Sequence, residues 1–138
     1  MTPIEGTRMR ESAREAIIAH ARAEAPLECC GLLVGVSGVI EEACRARNMQ
    51  RSEAAYLLDP ADHFAAIRNA RRTGRAILGA YHSHPRSSAM PSATDLRDAW
   101  DGAFLYVIVS LADPHAPDLR GYYLEGEAFV AEALVTIP

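Results

Sequence analysis

The chain has 138 residues and a mass of 15.0 kDa, the size of one compact domain with little room for a second core. A hydrophobic share of 49% and a charged share of 23% exclude a disordered, collagenous or coiled-coil chain. The net charge is -4, and Arg45, Arg47, Arg51, Arg68, Arg71, Arg72 and Arg75 are interrupted by apolar stretches, which argues against nucleic acid or an anionic membrane as partner.

The longest uncharged runs, Cys29 to Ile40 and Gly102 to Ala112, are 12 and 11 residues long. Both fall short of the roughly 18 residues that a membrane helix needs. The first 25 residues carry Arg8, Arg10, Glu11, Arg14, Glu15, Arg22 and Glu24 and no unbroken apolar core. No secretory signal is therefore expected, and the cytoplasm is the expected address. Cys29 and Cys30 are adjacent, Cys44 stands apart, and none lies in a Cys-x-x-Cys pair. That is no disulfide framework, and it predicts reduced thiols acting as small hydrophobes.

From Met9 to Ala23 the apolar residues Met9, Ala13, Ala16, Ile17 and Ala21 recur at helical spacing. The spacing predicts an amphipathic helix capped by Thr7 and stopped by Pro26. Cys30 to Val36 is a short apolar strand, and Val39 to Arg47 after Ser37-Gly38 is its hairpin partner, which puts Glu28 at a strand entrance. Tyr56 to Leu58 reads as a further short strand. Asp59-Pro60 then opens a helix from Ala61 to Arg72, ended at Gly74, that should bury Phe64, Ile67 and Ala70.

Ala76 to His82 is β-compatible and runs into Pro85, which has no N–H for a central ladder, so His82 and His84 lie at a strand's carboxyl end. Ser92 to Asp95, followed by Leu96 and Trp100, reads as a capped helix start after a loop. Phe104 to Ser110 is the strongest buried strand, and Gly121 to Leu124 with Ala128 to Val135 forms a terminal hairpin. The irregular alternation of strands and helices predicts a mixed α/β fold with a central sheet.

Residues i and i+2 of a strand share a face, about 6.6 Å apart along it, so His82 and His84 can hold one metal. A catalytic zinc takes three protein ligands and keeps a fourth position for water. Asp95, separated from His84 by the ten residues Pro85 to Thr94, a loop with Ser87, Ser88 and Pro91, is the candidate third ligand. Water activated by such a metal still needs a base to take its proton and pass it on. Glu28 is the candidate, with Glu24, Glu41 and Glu42 as competitors. Ser92 can donate its hydroxyl to a developing oxyanion, and it has a purely structural reading as a helix cap. His20, His63 and His115 read as surface or structural residues, His20 at its helix's polar border. Trp100 and Tyr106 read as core.

The series Glu28, His82-Ser83-His84-Pro85, Ser92 and Asp95 resembles the signature of the JAMM (MPN-plus) zinc metalloproteases. The context of Glu28 in Glu28-Cys29-Cys30-Gly31-Leu32-Leu33, and Tyr56-Leu57-Leu58-Asp59 before the middle helix, extend the resemblance to short bacterial members over nearly the whole chain. The resemblance implies His82, His84 and Asp95 as zinc ligands, Glu28 as general acid/base and Ser92 as oxyanion donor. It also implies a single domain, 1–138, with a cytidine-deaminase-like fold in which a curved mixed sheet packs against helices. The implied substrate is the C-terminal tail of a small ubiquitin-like sulfur-carrier protein, from which some members release cysteine while others expose a Gly-Gly end. The length implies a catalytic core without the insertions that grip a second ubiquitin. The oligomeric state is left open.

Two other readings stand beside this one. Metal-free relatives use the same fold as a protein-binding module, but they lack the ligand residues that this chain keeps. DNA-repair-associated proteins with a similar motif carry Asn between the histidines and Gly after the proline, where this chain has Ser83 and Ser87.

Overall fold

In the computed structural model, which describes residues 6–99 and 103–138, the chain builds a mixed sheet of eight strands flanked by helices. The strands are β1 (Thr7–Arg10), β2 (Cys30–Val36), β3 (Val39–Ala46), β4 (Ala76–His84), β5 (Leu105–Ser110), β6 (Asp118–Glu125), β7 (Ala128–Glu132) and β8 (Leu134–Ile137). The helices are α1 (Glu11–Glu24), α2 (Pro60–Arg72) and α3 (Ala93–Asp98). Across the sheet the order is β7-β6-β5-β4-β2-β3-β1-β8. β1 pairs in parallel with β3 and β8, and β4 with β5, while the remaining pairs are antiparallel. Leu134 of β8 lies against Gly121 of β6 from the far half of the order, so the sheet curls nearly into a barrel. None of the described helices is long and apolar enough to cross a membrane.

The hairpin of β2 and β3 turns at Ser37 and Gly38 with φ of 47° and 77°, the left-handed pair that a two-residue hairpin needs. The central strands β4 and β5 bury their side chains on both faces. Met9, Ile17, Leu33, Tyr81, Val107 and Val109 form the main core under α1, and Leu32, Ala66 and Ala80 a smaller one under α2. This alternation leaves His82 and His84 on the α2 side, one step beyond Ala80. In β4 a Cβ on Gly79 would come within 1.9 Å of the Leu105 carbonyl oxygen, so the close approach of β4 and β5 requires glycine there.

Several expectations need correcting. Thr7 does not cap a helix. It begins β1, buries its side chain and donates its hydroxyl to Glu132 (3.0 Å), and α1 starts at Glu11 behind Arg10, which makes no side-chain cap. Tyr56 to Leu58 is not a strand beyond one isolated bridge between Asn48 and Leu58. Phe64 is 66% exposed, because α2 turns its small residues Ala66 and Ala70 to the sheet, with Ile67 half-buried. The last strand divides at Ala133. β7 completes one end of the sheet, and β8 crosses to pair with β1 at the other. His20 is buried, its Nδ1 2.7 Å from the Tyr81 hydroxyl, rather than at a polar border. Trp100 lies outside the described residues, and Tyr106 is buried as expected of a core residue.

Candidate metal centre

The ends of β2 and β4 meet at one rim of the sheet, because antiparallel pairing sets Cys30 opposite His82. Ser83 points to the other face from its two histidine neighbours and fastens the rim. Its hydroxyl accepts from the Cys29 N–H (2.8 Å), and its own N–H donates to the Cys29 carbonyl (3.0 Å). Glu28, the residue before that clamp, is thereby held beside the strand that carries the imidazoles.

Asp95 arrives from the first turn of α3. Ser92 and Asp95 form a capping box: the Ser92 hydroxyl accepts from the Asp95 N–H (3.0 Å), and the Asp95 carboxylate accepts from the Ser92 N–H (2.8 Å). The same carboxylate faces both imidazoles, with Oδ1 3.1 Å from His82 Nε2 and Oδ2 3.0 Å from His84 Nε2, while the two Nε2 atoms are 3.3 Å apart. All three residues are buried, and their donor atoms lie within 4.8 Å of one another. Donors held 2.0–2.1 Å from a shared tetrahedral ion would stand about 3.3 Å apart. The observed separations therefore fit a small divalent metal, and two imidazoles with one carboxylate are a donor set that zinc accepts.

The surroundings orient these groups. His84 Nδ1 is 2.8 Å from the Ser88 carbonyl, a contact that fixes the ring and leaves Nε2 for the centre. The Tyr56 ring stacks on His82, centroids 4.5 Å apart and planes inclined by 22°. Burial drives the His82 pKa down and favours its neutral form against the pull of Asp95. Burial alone would raise the Asp95 carboxyl, but the hydrogen bonds from His82 and His84 outweigh it and hold the group far below the usual carboxylate range.

Glu28 behaves differently. It is 4% exposed, its Oε1 has no hydrogen-bond partner among the described residues, and burial pushes its carboxyl up to about 7, partly offset by His84. The folded protein thus holds this proton more tightly than the unfolded chain. Stability associated with protonated Glu28 is complete below pH 4.5 and is lost as pH rises through about 7. Glu28→Gln is accordingly expected to stabilise the metal-free protein at pH 8 by about 1–3 kcal/mol and to change little at pH 4. Thermal melts of both proteins at the two pH values check this, and an equal effect at both would contradict it.

Two residues near the centre carry no chemical signal in the sequence. The side chain of Asn48 makes four hydrogen bonds among the described residues: Nδ2 donates to the carbonyls of Glu28 and Ala55 (3.1 Å each), and Oδ1 accepts from Gln50 (3.0 Å) and Leu57 (2.9 Å). With the Glu28 N–H donating to the Ser52 carbonyl (2.8 Å), these bonds tie the loop carrying Tyr56 to the backbone of Glu28. Asn and Asp recur in loops because they bond nearby backbone, so composition alone could not single out Asn48. Tyr56 stands out in the sequence only through the family resemblance of its segment. The remaining candidates lie apart from the centre. Glu41 and Glu42 are on β3, His63 packs its ring edge toward Phe104, and His115 is in an exposed loop. Cys29 and Cys30 are buried and free, and burial pushes their thiols up to about 11 and about 12, which suits packing rather than reactivity.

Several known proteins are similar to this chain along most of its length. A family model described as prokaryotic homologs of the JAB domain matches residues 10–124. The CysO-cysteine peptidase of Mycobacterium tuberculosis is 35% identical over 119 residues, covering 85% of this chain and 82% of the relative. A desampylase of Haloferax volcanii is 38% identical over 106 residues, 71% of this chain and 76% of the relative. Among solved structures, a Desulfitobacterium hafniense protein superposes with a TM-score of 0.89 at 32% identity, covering 95% of this chain and 92% of that one. A JAB1/MPN domain protein of Archaeoglobus fulgidus superposes at 0.62 and 20% identity, covering 96% and 98%, and shares the fold.

Proposed function

Because the chain belongs to the family of prokaryotic homologs of the JAB domain, we propose that it is a zinc-dependent peptidase that hydrolyses a bond at the C-terminal tail of a small ubiquitin-like sulfur-carrier protein. The observation that carries this reading is the buried His82, His84 and Asp95 group with the buried Glu28 carboxyl beside it, whose Oε1 has no hydrogen-bond partner among the described residues. The relatives' names support the substrate class: one is a peptidase for CysO-cysteine and another a desampylase.

In this reading His82, His84 and Asp95 hold the zinc, which when bound supplies Lewis acidity, acidifying water and polarising a carbonyl oxygen. Glu28 takes a proton from water as its oxygen bonds to the acyl carbon, then delivers it to the departing nitrogen as the C–N bond breaks. A carboxyl whose affinity for protons is balanced near neutral pH serves both steps. The Ser92 hydroxyl accepts from Asp95 and keeps its own proton to donate toward the developing oxyanion.

The test is to incubate the zinc-loaded protein with a ubiquitin-like carrier extended beyond its Gly-Gly end and to read intact masses. Loss of the extension is expected, and an unchanged mass with carriers of this class would favour a binding module. Asn48 acts here as a positioning residue. Asn48→Asp keeps both acceptor bonds and loses both donors, so kcat is expected to fall about 10–100-fold with little change in KM. Steady-state kinetics on the extended carrier checks the split, and unchanged kcat would remove Asn48 from the account.

A further inference from the structure

A cavity of about 570 Å³ opens beside the metal centre, with Glu24, Glu28, Arg45, Arg47, Arg51 and Asp62 in its wall and none of His82, His84 or Asp95. Glu28 is the residue that the cavity and the proposed chemistry share. An acid/base that hands its proton to the departing nitrogen must have the leaving group beside it. The cavity that Glu28 borders is therefore the candidate space for that group. Arg45, Arg47 and Arg51 are exposed, and among the described residues none of their guanidinium groups is in an ion pair or accepted hydrogen bond.

We infer that this cavity is the leaving-group site and receives a single α-amino acid with a free carboxylate, which Arg45, Arg47 and Arg51 recognise. The inference rests on the peptidase reading above and decides between its substrates. A guanidinium fork matches a carboxylate in two parallel hydrogen bonds. The acids in the wall fit the same product. Asp62 is committed to the Arg47 N–H (2.8 Å), while Glu24 and Glu28 remain for the ammonium that cleavage creates. A lining of both signs suits a zwitterion. An isopeptide bond would instead release a lysine side chain of a second protein, whose carboxyl is bound up in its backbone and leaves the arginines without a partner.

The zinc-loaded protein is given three substrates: a ubiquitin-like carrier ending in Gly-Gly joined to alanine, to alaninamide, and through the Nε of a blocked lysine. The free acid is expected to be cleaved with a kcat/KM about tenfold or more above both others. Substituting Arg45→Gln, Arg47→Gln and Arg51→Gln together is expected to bring the acid-to-amide ratio close to one. Equal rates on acid and amide by the unsubstituted protein would overturn the inference and leave the peptidase reading standing, as would an undiminished ratio in the triple variant. Failure to cleave any of the three would overturn both.

Discussion

Replacing Glu28 by Gln is expected to lower hydrolysis by about 10³–10⁴-fold while the protein keeps its full complement of metal. General acid–base catalysis contributes about 10²–10⁴-fold, and the upper part of that range applies because one group serves both proton transfers. Glutamine preserves the shape of the side chain and its burial, so little else should change. The substitution also removes a buried carboxyl with an unpartnered oxygen, and the variant should be no less stable than the parent. Cleavage rates on the extended carrier, with elemental analysis of the same samples, separate the two roles. Full activity in the variant would show that another group moves the proton.

Asp95→Asn is expected to have the converse pattern, with metal affinity falling more than about a hundredfold and activity falling with it. The carboxylate reaches both imidazoles at 3.0–3.1 Å and brings the negative charge that balances a divalent ion. An amide offers one oxygen and turns an N–H toward the centre. It also weakens the capping box with Ser92, but a capping group is worth about 1 kcal/mol, far less than the metal affinity at stake. Competition against a chelating dye measures the affinity. One tightly held equivalent in Asp95→Asn would remove Asp95 from the ligand set, and the same assay on His82→Ala reports on the imidazole.

Much of the architecture was legible because local signals and tertiary packing agree. The Ser37-Gly38 turn, the Asp59 cap before Pro60 and the uninterrupted apolar run of β5 each point to the element that forms. Legibility failed where distant contacts decide. β1 is four residues long, and its partner β8 lies more than 120 residues away, so local sequence makes Thr7 a helix cap whereas its partner is Glu132. Phe64 follows helical spacing, but the space under α2 admits only alanines at the closest approach. Strand periodicity and a short loop point to the gathering of His82, His84 and Asp95, whereas Asn48 works through backbone carbonyls that only the folded chain brings to it.

Dependence of hydrolysis on a metal held by His82, His84 and Asp95 is checked by removing and restoring zinc. Dialysis against a strong chelator is expected to abolish cleavage of the extended carrier, and one equivalent of zinc to restore it. Cleavage that persists undiminished in fully metal-free protein would contradict it.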